Sequence, residues 1–354
     1  MDTAEGPVGY DVDAVDEWVR ANVPELEPPF EWTRLEGGHS NLTYLIVDAT
    51  GTEAVIRRPP MGKLLPKAHD MEREFRVISA LQHTGVPVPV AYAYCDDEAV
   101  IGIHFYIMGK SPGRALFTST MAEGYLSEQA RGNVAGSYVQ MLAALHSVEP
   151  AAVGLDDLGR HDGYVSRQLR TWYGSWNASI DAAEYDDPRV HRIHDELAAA
   201  VPEQGPARVV HGDCGLHNCL LAPDGTISAV LDWEIATLGD PIADFAYAVN
   251  AWIRPTDDYK PITNAPTMAP GFSSRDELIA AYTDASGADL SRLDYYLAFN
   301  HLKMACIVHG VYARYKQGQK STEGIDMDGL LHRVKASIDL AERAMAGFDE
   351  GHKR

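Results

Sequence analysis

Apolar residues recur at helical spacing over residues 11–22, where Val12, Val15, Trp18 and Val19 share a face, and Pro24 closes the run. The pattern then changes. Residues 30–35, 41–48 (NLTYLIVD) and 53–57 (EAVIR) read as strands, and Pro59-Pro60 breaks the last of them. A helix is predicted over 68–82, with Met71, Phe75, Ile78 and Leu81 on one face. Residues 85–89 (GVPVP) form a loop, and the apolar run 99–108 reads as one strand. From Ser127 onward long helical stretches dominate, over 126–148, 163–180, 188–200, 240–252, 274–286, 290–317 and 326–346. A strand-and-turn island at 208–233 interrupts them, its two apolar runs joined by Pro223-Asp224-Gly225, and the proline-rich stretch 255–272 reads as an ordered loop. The pattern predicts an α+β chain: a small mixed lobe over 1–109, a hinge near 109–113, and a larger, mainly helical lobe over 110–354.

The island carries the chemistry. His211-Gly212-Asp213-Cys214-Gly215-Leu216-His217-Asn218 places a carboxylate, Asp213, and an amide oxygen, Asn218, on one short loop. After the turn follows Leu231-Asp232-Trp233-Glu234. Phosphoryl transfer needs a carboxylate to orient the acceptor hydroxyl and hard oxygens to hold Mg²⁺. Asp213 suits the first task, Asn218 and Asp232 the second, and His211 is placed to brace the loop backbone. Two other readings use the same residues. A zinc site from His211, Asp213 and His217 lacks a fourth ligand nearby, and Cys214 as a nucleophile has no partner base marked in the sequence.

HGDxxxxN, LDWE and the following Leu238-Gly239-Asp240-Pro241-Ile242-Ala243-Asp244 resemble the catalytic core of the aminoglycoside phosphotransferase and choline kinase superfamily. The segment Gly37–Tyr44, the helix at 72–81 and the VPVP loop are most similar to the kinase-like domain fused to certain acyl-CoA dehydrogenases, a domain associated with phosphorylating hydroxylated acyl-CoA compounds. The resemblance covers nearly the whole chain. It implies a protein-kinase-like two-lobed fold with ATP and Mg²⁺ as cofactors. It also implies an acceptor hydroxyl on a small molecule, a hydroxyacyl-CoA-like compound first and an aminoglycoside or amino alcohol second.

In the first lobe Gly38, Ser40 and Asn41 sit between two strands, where glycine admits close approach to phosphates and the polar pair adds donors. The kinase pattern expects a lysine on the next strand. Here Arg57 stands in its place, with the same charge but a larger, forked head. Glu74 matches the helix glutamate that pairs with this cation, and Phe105–Met108 matches the adenine-contacting hinge, Met108 at its end. Strand alternation sends Arg58 to the opposite face from Arg57, so Arg58 is expected to matter less for nucleotide binding. Asp240 and Asp244 flank a helix start with Pro241 in its first turn, and capping and bracing of the catalytic loop is their expected part. The polar residues Tyr295, Tyr296, Asn300, His301, Lys303, His309, Arg314 and Lys316, interleaved with apolar ones over 290–317, fit an acceptor cleft or equally a buried helix with one wet stripe.

Charge narrows the partners. The net charge is −21, with 8 basic against 18 acidic residues over 1–109, 9 against 19 over 110–253, and 13 against 14 over 254–354. Such a balance argues against nucleic acid and an anionic membrane. The near-neutral last third is compatible with a CoA-like anion. No apolar run reaches the ~18 residues of a membrane span, the acidic start does not read as a signal peptide, and four scattered cysteines form no CxxC pair. A cytoplasmic phosphotransferase is therefore the expectation. The alternatives are a nucleotide-binding pseudokinase or scaffold, motivated by Arg57, and a protein kinase, which the LDWE form disfavours.

Overall fold

The alternating pattern of the first lobe is a five-stranded sheet in a computed structural model of the chain, which describes residues 6–35, 41–62, 70–257, 260–319 and 322–352. The chain divides into two compact units, Met1–Arg114 with Ser228–Ala236, and Ala115–Ile227 with Thr237–Arg354. In the first unit α1 (Val12–Asn22) starts at Asp11, whose carboxylate accepts the Ala14 N–H at 3.1 Å. Strands β1 (Glu31–Arg34), β2 (Leu42–Val47), β3 (Glu53–Arg58), β4 (Ala91–Cys95) and β5 (Phe105–Gly109) form an antiparallel sheet in the order β1-β2-β3-β5-β4. Along β2 every second residue is buried (Leu42, Tyr44, Ile46). Tyr44 and Ile46 join Val15, Val19 and Val23 of α1 and Ile56, Phe105 and Ile107 in one core. Each such fully buried side chain contributes about 1.5–3 kcal/mol. Helix α2 (Met71–Leu81), capped by Asp70, buries Met71, Glu74, Val77, Ile78 and Leu81. Glu74 is the lone charged residue on that buried face.

The single strand expected over 99–108 does not form. Asp97 caps a one-turn helix, α3 (Glu98–Ile101), and Gly102 ends it in the left-handed region at φ 79°, so β5 begins only at Phe105. Strand β4 was not foreseen. Four of its five residues are half-buried and it is bulged between Ala91 and Ala93, so it shows no period of two.

The second unit is mostly helical: α4 (Ser119–Tyr125), α5 (Glu128–Ser147), α6 (Tyr164–Ala183), α7 (Pro188–Ala199), α8 (Pro241–Ala251), α9 (Arg275–Ser286), α10 (Leu293–Lys316) and α11 (Met327–His352). Short strands β6 (Arg208–Val210) and β9 (Thr237–Gly239) pair antiparallel. Strand β7 (Cys219–Leu221) leads into the expected turn, in which Gly225 has φ 88° and a side chain would collide with the Ala130 carbonyl, so only glycine serves. β8 (Ile227–Val230) then takes the chain into the first unit. Helix α10 is the spine, packed along α11, α6 and α8. Ser274 and Glu277 form a capping box at the start of α9. No helix among the described residues is long and apolar enough to cross a membrane.

Candidate active site

In the second unit β6 delivers the chain to His211, and β7 takes it up after Asn218. The loop between them is held by its backbone. Gly212 sits at φ 83°, which directs two successive N–H groups to one acceptor. That acceptor is Asp244 of α8: Oδ2 accepts from His211 N and Oδ1 from Gly212 N, each at 2.8 Å. His146 of α5 backs Asp244, with Nε2 3.3 Å from Oδ2 and Nδ1 2.7 Å from the Tyr282 hydroxyl. Burial alone would raise the Asp244 pKa, but the His146 contact and the His211 N–H hold it below the carboxylate range. Asp240 caps α8 through Ile242 N at 2.9 Å and accepts the Tyr296 hydroxyl at 2.7 Å. The capping and bracing expected of this pair are both present. His211, fully buried, accepts the Asp213 N–H on Nδ1 at 3.3 Å.

Asp213 is thereby presented with a fixed carboxylate. The Tyr247 hydroxyl donates to Oδ1, while His217 Nε2 and Asn218 Nδ2 each lie 3.4 Å from Oδ2. Burial pushes this carboxyl up, yet the contacts with His217 and Tyr247 outweigh it and keep Asp213 below its ordinary range. Asn218 also donates Nδ2 to the Asp213 carbonyl at 3.0 Å, which fixes its amide and leaves Oδ1 without a protein donor among the described residues.

The first unit carries the other cluster. Arg57 lies opposite Thr43 on β2 and Tyr106 on β5. Its Nη1 stands 3.3 Å from Glu74 Oε1, and its Nη2 donates to Asp232 Oδ1 at 3.1 Å. Glu74 is 1% exposed, and burial together with the nearby Asp232 charge pushes its pKa up to about 7 against the pull of Arg57. Asp232 has φ 66°, a left-handed conformation that non-glycine residues rarely hold, and its side chain is 37% exposed. Backbone held there away from any turn glycine is a mark of functional sites. Arg58 points the other way and is buried, donating Nε to the Pro59 carbonyl at 3.1 Å and Nη1 to the Gly9 carbonyl. Arg73 donates to the Ala236 carbonyl at 2.6 Å and ties α2 to the segment that carries Asp232.

Of the other residues expected at a nucleotide, Asn41 is buried just before β2, and Met108 is buried on β5, in register with Val55 and Ala91. Gly38 and Ser40 lie outside the described residues. The polar residues of α10 divide into structural and site-facing groups. Tyr295 donates to the Leu197 carbonyl and Asn300 to the Ala243 carbonyl, both at 2.8 Å. His309 stacks on Trp176 with ring centroids 3.9 Å apart, and Lys316 pairs with Glu184 at 2.7 Å. Lys303 reaches the 211–218 loop, donating to the Gly212 carbonyl at 3.3 Å. Sequence reasoning missed Tyr247 and His146. Tyr247 lies six residues beyond Pro241 on a helix whose start was recognised, so its helical position was the available clue.

In the second unit the Asn218 amide oxygen, and in the first the Asp232 carboxylate, whose Oδ2 accepts no hydrogen bond among the described residues, are each hard oxygens of the kind Mg²⁺ takes beside phosphate and water. Zinc is disfavoured, since no group of three or more His, Cys, Asp or Glu is arranged to hold a metal among the described residues. Cys214 is fully buried, and contact with Cys219 followed by burial pushes its thiol well up, the reverse of a nucleophile.

Residues 31–296 match the family model for the phosphotransferase enzyme family. Acyl-CoA dehydrogenase family member 10 of Mus musculus is 34% identical over 324 residues, covering 90% of this chain and 30% of the mouse protein. The chain thus spans about a third of the length of such relatives. A candidate aminoglycoside phosphotransferase of Ralstonia eutropha superposes with a TM-score of 0.78 at 29% identity, covering 97% of this chain and 99% of that one. A thermostable aminoglycoside phosphotransferase mutant in ternary complex with AMP-PNP and hygromycin B shares the fold at a TM-score of 0.59 and 16% identity, covering 94% and 99%. The resemblance drawn from HGDxxxxN and LDWE, and the kinase-like fold it implied, are both shown.

Proposed function

Because the chain belongs to the phosphotransferase enzyme family, we propose that it moves the terminal phosphoryl group of ATP to a hydroxyl of a small molecule. The carrying observation is the Asp213 carboxylate, held ionised by Tyr247 and His217 on a loop locked by Asp244. An ionised, immobile carboxylate orients an acceptor hydroxyl and takes its proton as the oxygen attacks. Arg57 supplies a fixed positive charge for nucleotide phosphates, with Glu74 and Asp232 setting its position. Asn218 and Asp232 would hold Mg²⁺, which supplies charge neutralisation at the phosphates when bound. Asn41 and Met108 complete the nucleotide contacts by family resemblance, together with Gly38 and Ser40.

Two comparisons support the class of reactants. The mouse relative carries the acyl-CoA dehydrogenase name, which favours a hydroxyacyl-CoA-like acceptor. The complex with AMP-PNP and hygromycin B pairs an ATP analogue with an aminoglycoside on the same fold. A screen of hydroxylated metabolites with Mg-ATP, read by mass spectrometry for gain of one phosphate, tests the reading. A phosphorylated product whose formation requires Asp213 supports it. Nucleotide binding with no product from any hydroxylated compound would identify a scaffold instead.

A further inference from the structure

Among the described residues, two cations of the second unit, Lys303 and Arg333, form no ion pair with a carboxylate. Lys303 of α10 is 8% exposed. Its ammonium group has three donors. One is used, in a 3.3 Å hydrogen bond to the Gly212 carbonyl, and the group stands 5.7 Å from the centre of the Tyr247 ring. No carboxylate lies within ion-pair distance of it among the described residues; Asp213 and Asp244 act on it only from farther away. Arg333 of α11 is half-buried, within electrostatic range of Tyr247, and its Nε is buried with no acceptor. Lys303 therefore stands at the phenol whose hydroxyl touches Asp213, and Arg333 acts electrostatically on the same phenol from the helix packed against α10.

This arrangement is costly without a ligand. A buried, unpaired cation loses hydration worth several kcal/mol. The chain has 51 acidic residues against 30 basic ones, yet among the described residues no carboxylate forms an ion pair with either group. Several other cations of the second unit do have acidic partners: Arg189 with Asp187 and Asp339, Arg275 with Asp257, Lys316 with Glu184. Vacant donors at the carboxylate that orients the acceptor point to a partner arriving with the acceptor.

We propose that Lys303 and Arg333 bind an oxyanion of the acceptor, a carboxylate or a phosphate, and so seat its hydroxyl at Asp213. The proposal rests on the phosphotransferase reading and selects within it. Two vacant cations repel an aminoglycoside or amino alcohol, so the acceptor is an anion. A hydroxy acid would present its carboxylate, and a hydroxyacyl-CoA its phosphates.

Calorimetric titration of the full chain with inorganic phosphate, without nucleotide, tests the site independently of turnover. The wild type should show one saturable site. Lys303→Gln and Arg333→Gln should each weaken it about tenfold, the loss that accompanies a charged hydrogen bond. Lys303→Arg should retain most of the binding, which keeps the test open if Lys303→Gln fails to fold. Lys335→Gln, at an exposed position of α11, should change nothing. Displacement of the bound phosphate by coenzyme A assigns the site to phosphate, and displacement by 3-hydroxybutyrate assigns it to carboxylate. Three results overturn the proposal: no saturable site in the folded wild type, equal binding by Arg333→Gln, or no displacement by either competitor. Should phosphate bind as expected while the metabolite screen yields no product, the anion site stands and the phosphotransferase reading falls.

Discussion

The two units solve opposite electrostatic problems. In the first, one guanidinium serves two carboxylates: Arg57 stands between Glu74, which is buried, and Asp232, which is partly open to solvent. Glu74 bears the cost, its pKa raised to about 7 by burial and by its acidic neighbour. In the second unit one carboxylate is served by mostly uncharged donors, a tyrosine hydroxyl and an amide, together with His217, and Asp213 stays below the usual range. The first arrangement holds a cation in place. The second keeps a carboxylate ionised through direct contacts that are mostly uncharged, with the Lys303 charge acting only from farther away. The difference teaches that acidic clusters of similar composition serve distinct ends according to what lies against them.

Changes to these clusters can break the comparison at graded cost. Asp244→Ala removes the acceptor of two loop N–H groups and the partner of His146, so a loss of about 3–5 kcal/mol is expected. Chemical denaturation measures it, and a loss below about 1 kcal/mol would show that the loop holds its shape unaided. Asp213→Asn should leave stability and ATP affinity nearly unchanged while lowering kcat at least about 10²-fold; turnover within a factor of a few of wild type removes Asp213 from its assigned role.

Arg57→Ala should weaken ATP binding by about 1.5–3 kcal/mol, with Arg57→Lys intermediate because it keeps the charge and loses the fork. Arg58→Ala should lower stability instead, by about 1–3 kcal/mol, since its buried guanidinium ties Pro59 and Gly9. Calorimetry and melting curves on the same variants separate the two effects. If Arg58→Ala is the change that weakens ATP binding, the two residues exchange roles.

The smallest effect is a pH slope. Glu74 has a raised pKa in the folded chain, so its contribution to stability is complete below the unfolded value near 4.3 and is lost as pH rises through about 7. The Tm of wild type relative to Glu74→Gln should therefore fall between pH 4.3 and 7. A constant difference across that window would mean Glu74 is ionised throughout, with Arg57 dominating burial.

What the sequence determined by itself was local. Period-3.6 patterns placed the long helices, because each face of a helix meets a single environment along its length, and apolar runs bounded by turn residues placed β2 and β3. The HGDxxxxN loop was legible because its donors lie within eight residues of one another. Alternation separated Arg57 from Arg58. Where local signals compete, reading failed: the apolar run at 99–108 fits a strand, but the Asp97 cap and Gly102 divide it. Only the tertiary structure decided the company Asp213 keeps. Tyr247 is 34 positions away from it, Lys303 is 91 from Gly212, and His146 is 98 from Asp244. These contacts depend on how α5, α8 and α10 pack. Helix packing is set by the summed shape of many apolar side chains, and no spacing within any one segment records which polar group it will carry to the loop.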